Sequence, residues 1–558
     1  MIDGRVLPWV QDSNSENYPV WNDFGASQRK VYILNYEGII ETSFDITPYN
    51  PSDPEDVLSL TNLILSYREE PDNCIAGEVD LWGSCFSITE TDSLNLSDSE
   101  LTGTIPDALN ELTNLEFLDL SGNSLQDSIP TLQNLTSIKY LNLSENSFTG
   151  SIPNEIGSLI NLEYLNLSKN AYTWGGIPIG GISGSIPDEI GNLTSLYYLN
   201  LSQNNLSGPI PSSIGSLQNL DSLNFSINFQ QDMLTPVSGI DSIPPEIGDL
   251  INLRYLNLAS CFISTIPNEI SNLQALEELN LSSNRSLVDI ESFSIGSDSA
   301  SSIFSAIFEL TNLKHLKMET CYLEGIIPPG FSNLENLESL YLNANRLSGE
   351  LPNDLWRLEN LEVLKIGSGE VMVFGGAINV KNSFYGGILD STLSLVNLNY
   401  LDLSDNQFSG EIPDSFFSHP SLHTVRLNGN SFSGVIPNSI CDFINSGGDS
   451  LNIGFALDEN MFCAPFPACL DLSCLVPYTL GFELEFNCVG DQDTTGCNLG
   501  EYVGPVWYVS NMGSDENGNG SEESPFSTIQ KGIELAIDGD TVVVESGTYS
   551  ANNAIYDK

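Results

Sequence analysis

The chain has 558 residues, 74 of them acidic and 17 basic, a formal net charge of −57 at pH 7, and 41% hydrophobic residues. That apolar share can build a continuous core, which excludes a disordered acidic polymer. The charge excludes a general nucleic-acid binder, since no basic stripe exists to neutralise phosphates, and it disfavours anionic membrane surfaces. A solvated acidic shell suits salty surroundings, with scattered Ca²⁺ binding as the competing use of the same charge.

Residues 1–70 form the first segment. It predicts a strand, a short helix, a hairpin over "KVYILNYEGIIETSF", and a helix with Asp53 as N-cap and Pro54 at its first position. Val57, Leu60, Ile64 and Tyr67 keep helical spacing. The run "LPWVQD…FGA…VYILNYEG" resembles the second half of a thioredoxin-like domain. The half carrying that family's redox cysteine would then precede Met1, and no catalytic residue comes with the resemblance. Gln28-Arg29-Lys30 stands where such folds hold a proline. Residues 71–93, with Cys74 and Cys85, read as an N-terminal cap on the repeats that begin at Leu94.

From 94 to 455 one sentence repeats: L-x-x-L-x-L-x-x-N, polar residues, then G-x-I-P and L-x-N-L. Clean copies are "LEFLDLSGN" at Leu115, "LEYLNLSKN" at Leu162 and "LNYLDLSDN" at Leu398, with a usual step of 23 or 24 residues. In L-x-L the leucines alternate by two, as in a strand with one buried face. No single coil can bury them, so coils must stack. The Asn closing each motif is predicted to turn inward and satisfy backbone at the bend; Cys261 and Cys321 take that slot in two coils. The G-x-I-P half is expected to return in an extended, non-helical path. This spelling, "LSGxIPxxIGxLxNL", resembles the plant-receptor subclass of leucine-rich repeats. The resemblance implies an α/β-type repeat solenoid, a horseshoe of about 13–14 repeats with a parallel sheet on its concave face, and recognition in place of catalysis.

The third and fifth motif positions face outward on that sheet. Ligand-binding candidates there are Phe117, Tyr140, Tyr164, Tyr198, Tyr255, His315, Lys317, Tyr341, Lys365, Tyr400 and Arg426. Phe117 to Tyr198 form an aromatic column beside an Asn ladder, which suits peptide or sugar contacts; the plainer reading is strand-surface residues copied by duplication. Four repeats are long, at 33 to 37 residues, and their edge insertions carry Tyr172, Trp174, Phe229, Phe374, Phe384 and Tyr385, with Met233 and Phe293. Insertions on one edge commonly extend a binding site. Six of the 17 basic residues fall between 314 and 381 (Lys314, Lys317, Arg346, Arg357, Lys365, Lys381). Lys317 and Lys365, about 10 Å apart across two strand steps, are expected to dock an acidic polymer, either uronate sugar or acidic peptide, unless neighbouring Glu residues neutralise them. His419 and His423 are separated by Pro420, so a loop is expected there and not a metal-binding helix face.

Residues 456–475 read as the far cap and 476–505 as a cysteine-containing linker. Residues 506–558 resemble the beginning of a pectate-lyase-like right-handed parallel β-helix, in "YVSNMGSD", "SPFSTIQKGIELA" and "DGDTVVVESGTY". Pro525 is predicted to open a helix with Ile529, Ile533 and Ala536 on one face, followed by a strand from Thr541. The resemblance implies that the later coils, where that family carries its catalytic acids, would lie beyond Lys558. No cofactor is expected, with Ca²⁺ the one candidate. Asp515, Asn517 and Asn519 match the start of a Ca²⁺ loop, D-x-N-x-N-G, but Phe526 replaces its closing Glu. An ordinary polar turn is the competing reading.

Cys74, Cys85, Cys441, Cys463, Cys469, Cys474, Cys488 and Cys497 lie outside the regular repeats and are disulfide candidates at the two ends of the stack. They imply an extracellular or cell-surface setting. "MIDGRVLPWV" lacks an apolar signal core, so the true start is expected upstream. Together these features describe an extracellular recognition module for protein, peptide or polysaccharide ligands, with no catalytic residues, no nucleic-acid partner and no membrane insertion. Two alternatives stay open: the targeting module of a carbohydrate-active enzyme whose catalytic β-helix lies further along, and a structural adhesin or spacer.

Overall fold

A computed structural model of the chain describes residues 30–34, 40–45, 74–174, 177–230, 238–284, 300–373, 376–388, 394–446, 454–463, 466–467, 469–470, 506–515, 521, 524–536 and 541–545. The L-x-L pattern becomes fourteen short parallel strands in one sheet, running from Ser93–Asn95 to Gly454–Ala456. Register is strict: Leu118 pairs Leu141, Leu141 pairs Leu165, and Leu165 pairs Leu199. Each of these leucines is fully buried. One continuous core therefore threads the whole stack.

The inward Asn is confirmed, and its chemistry explains the motif. Asn204 is fully buried. Its Oδ1 accepts the Ile182 N–H at 3.2 Å, and its Nδ2 donates to the carbonyls of Leu167 at 2.8 Å and Leu201 at 3.0 Å. One side chain thus satisfies backbone of two coils at a bend water does not reach. Cys261 and Cys321 are buried free thiols in the same slot, each donating weakly to a preceding carbonyl. The residue before the Asn takes a left-handed conformation: φ is 53° to 57° at Glu145, Lys169, Gln203, Ile227 and Asp405.

The return path corrects one expectation. It is not wholly extended, because after six of the I-P pairs the next five residues form a short 3₁₀ helix, as at Asp107–Glu111 and Asp188–Asn192. The preceding Pro sits at the extended cap position, where its missing N–H costs nothing. The Gly of "IGxL" lets these turns pack. A Cβ on Gly191 would stand 2.5 Å from the Ser213 carbonyl oxygen, and one on Gly248 2.5 Å from that of Glu269.

A second ladder escaped the sequence reading. The Asn of L-x-N-L bonds across coils, Asn161 Nδ2 to the Thr136 carbonyl at 2.8 Å and Asn252 Nδ2 to that of Gln218 at 2.8 Å.

Both ends of the sheet are closed. A hairpin of Glu78–Leu81 and Ser84–Ser87 is tied by the Cys74–Cys85 disulfide, and buries Val79 and Leu81 on the core. At the far end the helix Ser439–Ser446 is joined to the following segment by Cys441–Cys469, and Cys463 is also disulfide-bonded. Cys474, Cys488 and Cys497 lie outside the described residues.

Three of the four long insertions contain antiparallel hairpins: Tyr172–Trp174 with Ile177–Ile179, Phe229–Gln230 with Ser238–Gly239, and Gly369–Val373 with Gly376–Val380. The fourth ends in the helix Ala300–Ile307, whose Ile303, Phe304 and Ile307 are buried. The N-terminal hairpin forms as expected, Lys30–Leu34 against Ile40–Asp45, while the helix expected at Asp53 falls outside the described residues. Near the C-terminus, Val506–Val509 pairs parallel with Thr541–Val544, with a helix between them at Ile529–Leu535. That helix begins later than Pro525 predicts, because Thr528 is its N-cap and accepts the Lys531 N–H.

Candidate concave binding face

Phe117, Tyr140, Tyr164 and Tyr198 stack as one column on the concave sheet. Centroid steps are 4.3, 4.3 and 4.4 Å, with interplanar angles of 11°, 9° and 3°. The strand spacing of about 4.8 Å sets this step, so the rings meet face to face and present their edges to solvent. Burial in the column pushes the Tyr164 phenol well above its ordinary value, with the Tyr198 and Tyr140 phenols adding to the shift.

The Asn ladder beside the column is partly spent on its own backbone. Asn142 Oδ1 accepts the Ser144 N–H, Asn200 that of Ser202, and Asn224 that of Ser226. Only the Nδ2 groups can face a ligand, and Asn142 and Asn200 donate theirs to Asp119 and Tyr198.

The basic stretch divides in two. Lys317 lies 2.7 Å from Glu278 of the neighbouring strand, and Lys314 lies 2.7 Å from Glu277. Glu277 also holds Arg254 at 2.7 Å, and those two cations lower its pKa to about 2. Arg346 pairs with Glu324 at 3.0 Å. Lys317 is therefore neutralised, which corrects its assignment as half of an open cationic pair. His315 Nδ1 meets Ser339 Oγ at 2.9 Å, and its other nitrogen is 3.8 Å from Glu338.

Lys365 differs. Its ammonium sits 5.0 Å from the Tyr341 ring centroid and 4.6 Å from that of Tyr400, and Arg426 lies 6.0 Å from the other side of Tyr400. Among the described residues neither cation has a carboxylate within 4.0 Å. Asp402 stands between them in register, but it is buried and gives Oδ1 to Ser404. The rings stabilise the ammonium without cancelling its charge.

The edge candidates scatter. Tyr172 is 70% exposed and Tyr385 49%, so both are available to a partner. Phe384 is fully buried and Phe229 nearly so, the latter edge-on to Phe262 at 6.0 Å. These two fill the core, a correction to their reading as ligand contacts. Trp174 lies on the first hairpin. Phe374, Met233 and Phe293 fall outside the described residues.

Asp515 is committed elsewhere. Its Oδ1 accepts the N–H groups of Ser527 and Thr528, and its Oδ2 accepts the Thr528 hydroxyl. It fastens the start of the terminal helix, while Asn517 and Asn519 lie outside the described residues. His419 is buried, its pKa lowered by desolvation, with Nε2 3.0 Å from the Leu395 carbonyl. That bond makes Nε2 the donor, and Nδ1 accepts the Ser421 N–H at 3.4 Å.

One family description, "Leucine-rich repeat region", matches residues 242–445, and a second, "Leucine Rich Repeat", matches 114–135, 137–159 and 195–217. The stretches that they match are leucine-rich repeats. Among solved structures it is similar to a TDR receptor at 28% identity and a TM-score of 0.56, over 68% of this chain and 57% of that one. The leucine-rich-repeat ectodomain of GASSHO1/SCHENGEN3 from Arabidopsis thaliana, solved in complex with CASPARIAN STRIP INTEGRITY FACTOR 2, matches at 31% identity and a TM-score of 0.46, over 66% and 44%. A leucine-rich-repeat protein of Leptospira interrogans matches at 26% and 0.43, over 68% and 81%. The chain spans 57% and 44% of the first two. Comparison with curated proteins gives no match. The leucine-rich-repeat body shares the fold of the TDR receptor.

Proposed function

We propose that the concave face binds an extended peptide or protein segment outside the cell, and that an acidic group of that ligand seats between Lys365 and Arg426. The observation that carries this reading is a pair of unpaired cations braced by Tyr341 and Tyr400, in a chain of net charge −57. Every other cation named on this sheet already has a carboxylate, so a ligand carboxylate gains most here and is repelled elsewhere. Disulfides at both ends of the sheet support the extracellular setting, since such bonds persist in oxidising compartments.

The test is charge reversal. Lys365→Glu together with Arg426→Glu should weaken binding of an aspartate-rich extended peptide at least tenfold at low salt. Lys317→Glu should change it little, because Lys317 is already paired. Equal binding by the double variant, or equal loss with Lys317→Glu, would remove the proposed seat. A pectin-type oligouronate run in parallel separates a peptide ligand from a sugar one.

A further inference from the structure

The aromatic column is interrupted by one residue. The third motif position reads Phe117, Tyr140, Tyr164, Tyr198, Ser222 and Tyr255 on six successive strands. Tyr140 and Tyr198 bracket the Tyr164 ring with centroid steps of 4.3 and 4.4 Å. Tyr198 and Tyr255 bracket Ser222 across the same two strand steps, and the two rings make no contact with each other. Where the column would place its fifth ring there is only a hydroxymethyl group.

We propose that Ser222 leaves a slot between Tyr198 and Tyr255 that receives one aromatic side chain of an extended peptide ligand. The inference rests on the proposed binding of a peptide to this face. The slot has the width of one ring because the intact column shows that two strand steps accommodate one, and an inserted ring gains Tyr198 on one side and on the other Tyr255, over whose ring Arg254 sits at 5.3 Å. It is uncharged in its needs. Arg254 beside Tyr255 is held by Glu277 at 2.7 Å and Asp221 at 3.6 Å, and Glu278 on the next strand holds Lys317 at 2.7 Å. With those charges paired, the slot favours a neutral ring over a cationic or anionic side chain.

The amides alongside favour a peptide. Asn224 and Asn257 give their Oδ1 atoms to the N–H groups of Ser226 and Ala259. Their Nδ2 groups have no acceptor among the described residues, and each can donate to a ligand carbonyl next to the slot. Five strand steps separate Ser222 from Lys365, about 24 Å, which about seven extended residues span. One ligand can therefore reach both places.

The test uses capped Ac-Gly-Gly-Phe-Gly-Gly-NH₂, its all-glycine counterpart and methyl β-glucoside, titrated by ligand-observed NMR against the intact chain. The Phe peptide should bind and the all-glycine peptide should bind at least tenfold more weakly. Ser222→Tyr should complete the column, leave circular dichroism and the unfolding midpoint unchanged or raised, and weaken the Phe peptide at least tenfold. Tyr255→Ala should weaken it as well by removing one wall. Unchanged Phe-peptide binding in a folded Ser222→Tyr chain overturns the slot. Glucoside binding that is lost equally in that variant overturns the aromatic ligand in favour of a sugar. Lys365→Glu with Arg426→Glu should spare the neutral Phe peptide. If that pair abolishes acidic-peptide binding while Ser222→Tyr has no effect, the slot fails and the acidic seat stands; the reverse pattern upholds the slot and sinks the seat.

Discussion

Asn345 offers the sharpest test of what holds the solenoid together. It is fully buried. Its Oδ1 accepts the N–H groups of Cys321 at 3.0 Å and Leu323 at 3.1 Å, and its Nδ2 donates to the carbonyls of Met318 at 2.8 Å and Leu342 at 2.9 Å. Leu342 keeps a second donor, Asn382 Nδ2 at 3.0 Å. Truncation by Asn345→Ala would therefore orphan two N–H groups and the Met318 carbonyl in a water-free bend. At about 1 kcal/mol for each buried group left unpaired, the loss should be ~3 kcal/mol. Asn345→Cys should cost less than Asn345→Ala, because the thiols at Cys261 and Cys321 already show a sulfhydryl donating to the equivalent carbonyl, at 3.2 and 3.1 Å. Urea unfolding followed by circular dichroism measures both. An alanine cost below 1 kcal/mol, or identical costs for the two variants, would refute the claim that backbone satisfaction explains the motif's Asn.

Ile227→Gly should raise the unfolding midpoint, since a β-branched residue at φ 57° carries strain of about 1 kcal/mol that glycine avoids; an unchanged or lowered midpoint counts against strain there. Glu277 has a folded-state pKa lowered to about 2 from 4.5 by Arg254 and Lys314, so its stabilisation is complete above pH 4.5 and lost as pH falls toward 2. Glu277→Gln should therefore flatten that part of the acid-unfolding curve, and added salt should flatten it too. Cys261 and Cys321 are buried with thiol pKa values pushed up to about 12, chiefly by desolvation, so the native chain should resist alkylation at both until it is unfolded. Reducing Cys74–Cys85 and Cys441–Cys469, which are 11 and 28 residues apart, should cost ~3 kcal/mol each in the chain-entropy picture, read as a shift of the urea midpoint.

Periodicity made the concave rows legible, because a spacing of two fixes which side chain faces out and the repeat fixes which faces align. The column from Phe117 to Tyr198 and the inward Asn were readable for that reason. The state of Lys317 was not: its partner Glu278 sits on the neighbouring strand but 39 residues earlier, across a long insertion. The charge row at the second motif position, where Lys139 meets Glu116 at 2.7 Å and Arg254 meets Glu277, went unread because its members pair between coils. Phe384 occupies the N-x-F place that Phe148, Phe408 and Phe432 also fill, so the repeat itself marks it as core, whereas Phe229 belongs to an insertion that follows no repeat. Each sits on a strand that returns to the core, Phe384 beside Gly349 and Phe229 beside Gly239. The 3₁₀ turn after I-P is too short to leave a helical period in the sequence.

Hydroxyl-radical footprinting with and without a bound acidic peptide addresses the central claim most directly. Binding on the concave face predicts protection of Tyr341 and Tyr400, with Tyr172 and Tyr385 unchanged. Protection of Tyr172 or Tyr385 while Tyr341 and Tyr400 stay reactive would place the ligand elsewhere and contradict the account.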